Sequence, residues 1–72
     1  METALIVTVL LNGDRREIPV GTTLSGLVEI LHLPADRLAI EHDRSIVKRG
    51  LWAETVIDEG SEIEIVQFVG GG

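Results

Sequence analysis

The chain opens on an unbroken apolar and β-branched run, Leu5-Ile6-Val7-Thr8-Val9-Leu10-Leu11. That run reads as a strand. Asn12-Gly13 follows it, and both residue types tolerate the positive φ that a two-residue hairpin turn requires. Residues 15–20 form the expected return strand, with Ile18 and Val20 alternating against polar positions. Pro19 has no N–H to give to a ladder, so it predicts that this is an edge strand. Thr22 or Thr23 is placed to cap a helix, because a hydroxyl there accepts an orphan backbone N–H. Leu24, Leu27, Val28 and Leu31 then fall at i, i+3, i+4 and i+7, one helical stripe. Gly26 weakens that helix, and would permit close approach to a sheet. Pro34 stands where the helix must already have ended.

The second half is shorter-grained. Residues 38–42 form a strand, Asp43-Arg44 a turn and residues 45–48 a brief strand. Residues 51–57 have no clean period and suit a helical turn carrying Trp52. Asp58-Glu59-Gly60 reads as a turn. Residues 61–68 alternate again: Ile63 and Ile65 on one face, Glu62 and Glu64 on the other. The chain then ends in Gly70-Gly71-Gly72. One helix against a mixed sheet of four or five strands is an α+β layer architecture. Strand parity places Leu5, Val7, Val9 and Leu11 with Ile63 and Ile65 under the helix. Ile6, Leu10, Val66 and Phe68 are left on the outer face.

Composition narrows the function classes. At 72 residues the chain makes one domain, with residues 1–69 folded and 70–72 a glycine tail. There is no cysteine and there are two histidines, so neither a disulfide nor a structural zinc site is expected. The formal net charge of -6 disfavours nucleic acid, whose phosphates repel an acidic surface. The apolar run of the first strand is too short to span a membrane. The start Met1-Glu2-Thr3 lacks the basic residues of a signal peptide. A soluble cytoplasmic protein is expected. No paired carboxylates, nucleophile–histidine pair or phosphate-binding glycine loop occurs, so no catalytic residues are assigned. His32 and His42 are not at metal-ligand spacing, and Trp52 is read as a packing residue. The glycine run follows a strand rather than opening a helix, which excludes a P-loop.

A terminal glycine run is often only a frayed end. Here it follows a strand almost directly, so a rigid element presents a flexible thread. Glycine lacks a Cβ, which suits a thread entering a narrow channel in another protein. The chemistry such a thread permits is acyl activation. A carboxylate is a poor acyl donor until attack on ATP converts it to an acyl-adenylate, whose AMP is a good leaving group. A sulfur nucleophile then leaves a thiocarboxylate at Gly72. Gly70 and Gly71 supply the thread, and the tail beyond Val69 is expected to be disordered when alone. Val66, Phe68, Ile6 and Leu10 are the candidate docking residues. Asp58, Glu59, Glu62 and Glu64 form an acidic stretch leading to the tail, either a solvated face or an electrostatic guide.

The element order is similar to the β-grasp fold of ubiquitin, with first and last strands parallel at the sheet centre. The residues Leu38-Ala39-Ile40-Glu41, Ile46-Val47-Lys48-Arg49, Trp52, and Ile63-Glu64-Ile65-Val66-Gln67-Phe68-Val69-Gly70-Gly71-Gly72 resemble the ThiS family of sulfur carriers in thiamine biosynthesis. The chain departs from the family's habit at Asp43, often Asn, and at Lys48, often Pro. The resemblance implies a carrier with no catalytic site and no cofactor of its own. Its implied partners are a ThiF-like adenylating enzyme using MgATP, a cysteine desulfurase relay and a ThiG-like thiazole synthase that takes the sulfur. Two other readings stay open. One is the same chemistry serving molybdopterin, cysteine or tRNA thiolation. The other is a β-grasp binding module with an inert tail.

Overall fold

The computed structural model describes residues 5–69. The first hairpin pairs β1 (Ile6–Leu11) with β2 (Asp14–Pro19), Leu11 facing Asp14 across a two-residue turn. Asn12 and Gly13 sit at φ 50 and 87, as expected of a turn whose twist matches the strands. Helix α1 (Leu24–Ile30) follows. A 3₁₀ turn (Ala35–Arg37) then leads into β3 (Leu38–His42), β4 (Ser45–Val47), a 3₁₀ helix (Arg49–Glu54) and β5 (Glu62–Gln67). The five strands lie in the order β2-β1-β5-β3-β4. β1 and β5 run parallel at the centre, and the other pairings are antiparallel. This is the α+β, β-grasp arrangement, with β2 at one edge, where Pro19 costs no ladder bond.

Thr23, not Thr22, is the N-cap of α1; its Oγ1 accepts the Gly26 N–H at 3.0 Å. Thr22 instead donates its hydroxyl to the Pro19 carbonyl. The helix ends with Leu31 as C-cap, and the next residue, His32, adopts φ 57. The Leu33 and His32 N–H groups return to the Val28 and Glu29 carbonyls, which closes the helix in a Schellman motif. His32 therefore occupies a position that glycine usually fills.

The core forms where the helix stripe meets the inner face of the sheet. Leu24, Leu27 and Val28 pack with Val9, Ile18, Ile40, Ile57, Ile63 and Ile65, all buried. Each such side chain contributes about 1.5–3 kcal/mol, so an aliphatic core suffices without a disulfide. Trp52 closes one end. It is buried, and its Nε1–H donates to the Val47 carbonyl at 2.8 Å.

Four expectations need correction. Val20 is not a strand residue facing the core but is exposed, because β2 stops at Pro19 and Gly21 turns the chain at φ 90. Leu5 keeps the inner-face parity but precedes β1 and is exposed, beyond the helix's cover. A Cβ on Gly26 would meet Thr22 Cγ2 and Thr23 Oγ1 at 3.4 and 3.5 Å, so that glycine faces its own cap and not the sheet. Lys48 lies outside β4, which ends at Val47. The indistinct stretch around Trp52 resolves into the 3₁₀ helix, then a bridge from Val56 back to Thr23.

Candidate functional site

β5 is the element that aims the chain's end. On one side it pairs with β3 through Leu38 opposite Gln67, and one further bond runs from the Phe68 N–H to the Arg37 carbonyl at 2.8 Å. On its other side the partner gives out early. β1 matches β5 only at Leu10 with Glu62 and Leu11 with Ile63 before the hairpin turns away. The Asn12 side chain continues the ladder in its place. Its Oδ1 accepts the Ile65 N–H at 2.8 Å and its Nδ2 donates to the Ile65 carbonyl at 3.2 Å. A side-chain amide thus substitutes for a missing peptide. The strand is held to Phe68, and Val69 stands 87% exposed just beyond it. Gly70, Gly71 and Gly72, and with them the expected tail disorder, lie outside the described residues.

Ile6, Leu10, Val66 and Phe68 are all exposed, and the parity of Ile6, Leu10 and Val66 places those three on the outer face. They do not form one patch. With Leu10 level with Glu62 and about 3.3 Å per residue, Val66 lies about 13 Å further along the sheet, towards the tail. Ile6 lies about 13 Å the other way, beside Pro19. Val66 and Phe68 belong to the tail end, Leu10 to the middle and Ile6 to the far end.

The acidic stretch also lies away from the tail. Asp58 closes the turn before β5, its N–H donating to Ser61 Oγ and its carbonyl accepting the Ser61 N–H. Glu59 Oε1 accepts the Thr8 N–H at 2.9 Å. Glu62 is 3.9 Å from the Arg44 guanidinium. Glu64 stands directly opposite Glu41 of β3. Asp58 holds the turn through its backbone, and the Glu59 carboxylate ties that turn to Thr8 of β1. Three cationic side chains lie near the tail exit: Arg37, beside Phe68, and Lys48 and Arg49, just after β4, with the acids Asp36 and Glu54 on the same two 3₁₀ segments. They are distant from residue 68 in sequence; Lys48 and Arg49 fall in a segment that marks the family resemblance, but nothing in it points to the tail.

Two histidines have structural places. His42 Nε2 is 3.2 Å from Ser61 Oγ and 3.6 Å from Asp43 Oδ2. Both contacts fall on one nitrogen, so the group braces the β3–β4 turn against β5 and has no second nitrogen in a proton relay. His32 lines a cleft of about 410 Å³ with Ser25, Val28, Glu29, Leu33 and Trp52, on the helix side of the molecule. Among the described residues no cluster of three His, Cys, Asp or Glu is placed to hold a metal, and no helix is long and apolar enough to cross a membrane.

Comparison with known proteins agrees with this geometry. The chain is 39% identical over 62 residues to a thiazole synthase of Magnetococcus marinus, covering 86% of this chain and 19% of that one. It is 30% identical over 63 residues to a thiazole synthase of Paramagnetospirillum magneticum, covering 88% and 19%. The chain therefore spans about a fifth of the length of the thiazole synthases it matches. A crystal structure of the thiamine biosynthesis protein ThiS from Geobacter metallireducens superposes with a TM-score of 0.80 at 20% identity, covering 92% of this chain and all of that one. At that identity the likeness speaks for the fold. The sequence profile of the ThiS family matches residues 9–72, from the first strand through the glycine tail, and the chain belongs to the ThiS family.

Proposed function

We propose that this chain is a sulfur carrier for the thiazole of thiamine, acting through the carboxylate of Gly72. The observation that carries the reading is the family match running through the glycines, on a strand held firmly up to Phe68. The similarity to thiazole synthases supports a ThiG-like enzyme as the acceptor of the sulfur. A ThiF-like enzyme with MgATP is the activating partner, and a cysteine desulfurase relay is the sulfur source. The carrier contributes no catalytic group and binds no cofactor.

The steps balance as follows. A Gly72 carboxylate oxygen attacks the α-phosphorus of ATP and pyrophosphate leaves. Sulfide, freed from the relay's persulfide by a thiol that is oxidised to a disulfide, attacks the acyl carbon, and AMP departs with the bridging oxygen. One carboxylate oxygen has been replaced by sulfur. The fold's share is to keep the reacting carbon at the end of a thread thin enough to enter the partner, with all specific contacts behind it.

The test is intact mass spectrometry of the chain ending at Gly72 after incubation with MgATP, the adenylating enzyme of the same genome and sodium sulfide. The chain should gain the mass difference between sulfur and oxygen, and removal of Gly71 and Gly72 should abolish the gain. An unchanged mass with an enzyme active on another carrier refutes the proposal.

A further inference from the structure

The described residues divide by charge along β5. Its first half carries Glu62 and Glu64, with Glu41 and Asp43 beside them on β3 and in the turn. The exit end carries Arg37, Lys48 and Arg49. The Arg37 backbone is bonded to Phe68. Lys48 follows Val47, which pairs with Ile40, so Lys48 lies beside Ala39 and about 10 Å, two strand spacings, from Val66. Arg49 begins the 3₁₀ helix with its guanidinium 5.9 Å from the centroid of the Trp52 ring, within range of a weak cation–π contact. All three are exposed, and none is in an ion pair among the described residues. Asp36 and Glu54 are the acids on the same two 3₁₀ segments. The end remains net positive on a chain whose formal charge is -6.

We propose that Arg37, Lys48 and Arg49 form a cationic rim around the tail exit that docks on carboxylates at the mouth of the adenylating enzyme's nucleotide channel. This deepens the sulfur-carrier reading and rests on it. Reach decides what the rim touches. From Phe68 to Gly72 four residues span at most about 14 Å. With the tail extended, the rim therefore sits that far behind the reacting carbon. It cannot bear on the phosphate under attack and meets the protein around the channel's entrance. An acidic entrance is repelled by the net negative charge of the rest of the molecule and attracted by its exit end, where three of the chain's six cationic side chains gather. The encounter is thereby oriented tail first, the way complementary patches raise association rates and suppress wrong orientations.

The experiment is carrier-dependent ATP–pyrophosphate exchange by the adenylating enzyme of the same genome, as a function of carrier and salt concentration. Arg37→Glu/Lys48→Glu should raise the KM for carrier about tenfold or more at low ionic strength, leave kcat nearly unchanged and flatten the salt dependence. Arg15→Glu/Arg16→Glu makes the same change in net charge on the β2 edge, and should shift KM far less. Lys48→Arg should behave as wild type. Arg37→Gln/Lys48→Gln gives a milder version of the same effect, should the reversal impair folding, which thermal unfolding reports. If the reversal and its β2-edge control give equal KM values, the rim is refuted while the carrier reading stands. If the wild-type chain supports no exchange by an enzyme active on another carrier, the carrier reading falls and the rim with it.

Discussion

Asn12 offers the sharpest test of how the fold holds its working strand. Its side chain makes both hydrogen bonds to the Ile65 backbone where β1 has turned away, and its own φ is 50. Replacement by alanine removes two bonds worth about 0.5–1.5 kcal/mol each. It also forces a Cβ residue without a stabilising polar side chain into the left-handed region, at a further cost of about 1–2 kcal/mol. The sum is about 2–5 kcal/mol. A chain of 72 residues holds about 4–11 kcal/mol in all, so Asn12→Ala removes a large part of the stability. Two milder variants separate the causes. Asn12→Gly keeps the backbone conformation and loses the bonds, for about 1–3 kcal/mol, or about 7–20 °C in a domain this size. Asn12→Asp keeps the acceptor for the Ile65 N–H but sets a carboxylate against the Ile65 carbonyl, costing about 1–2 kcal/mol at neutral pH.

Urea denaturation gives the energies, and amide hydrogen exchange locates them. The Ile65 amide should lose protection in Asn12→Gly, while the amides of β3 paired with β5 keep theirs up to the global limit. The reasoning fails if Asn12→Gly and Asn12→Asp both match wild type in midpoint and Ile65 protection. Water would then be serving the strand as well as the side chain does.

Three further outcomes are expected. Arg44 sits at φ 72 in the second hairpin turn, so Arg44→Gly should raise stability by about 1 kcal/mol in urea titrations, net of its weak pairing with Glu62. Glu41 and Glu64 face each other across β3 and β5; Glu41→Gln should stabilise by about 0.2–1 kcal/mol at low salt, the gain fading in 1 M salt as screening removes the repulsion. Trp52→Phe loses both ring volume and the bond to the Val47 carbonyl. It should cost about 2–4 kcal/mol by circular dichroism thermal melts.

Much of the fold was legible because the sequence states it locally. Asn12-Gly13 can do little but turn, Thr23 caps the helix beside it, and the stripe from Leu24 has one period. Where two local signals were equal, the structure chose for reasons outside the sequence window. Thr22 and Thr23 are equivalent as caps until the Pro19 carbonyl takes the Thr22 hydroxyl. Val20 continues the alternation of β2 on paper, but Gly21 turns the chain before the helix can cover it. The role of Asn12 beyond the turn was not legible, since its partner lies at a separation of 53 residues. The family was legible in particular residues, Ile46-Val47-Lys48-Arg49, Trp52 and the Phe68-Val69 lead-in to the glycines, added to the ubiquitin-like order, and the family match bears that out.

The charge pattern around the tail shows why a site can be misread from neighbours in sequence. Asp58, Glu59, Glu62 and Glu64 precede the glycines along the chain, which makes them look like the tail's surroundings. β5 is extended, however, so the six residue steps from Glu62 to Phe68 carry the chain about 20 Å away from the turn that holds Asp58 and Glu59. Proximity to the tail is instead settled across the sheet. Antiparallel pairing brings the start of β3, and hence Arg37, beside the end of β5. The β3–β4 hairpin returns the chain to the same end at Lys48 and Arg49. A parallel centre flanked by an antiparallel hairpin thus delivers to the tail's exit residues that are remote from it in sequence. Its own predecessors Asp58 and Glu59 it leaves beyond the start of β5, away from the exit. An acidic chain gains a positive working end without changing its net charge, and the recognition proposed for that end follows from strand order more than from any local motif.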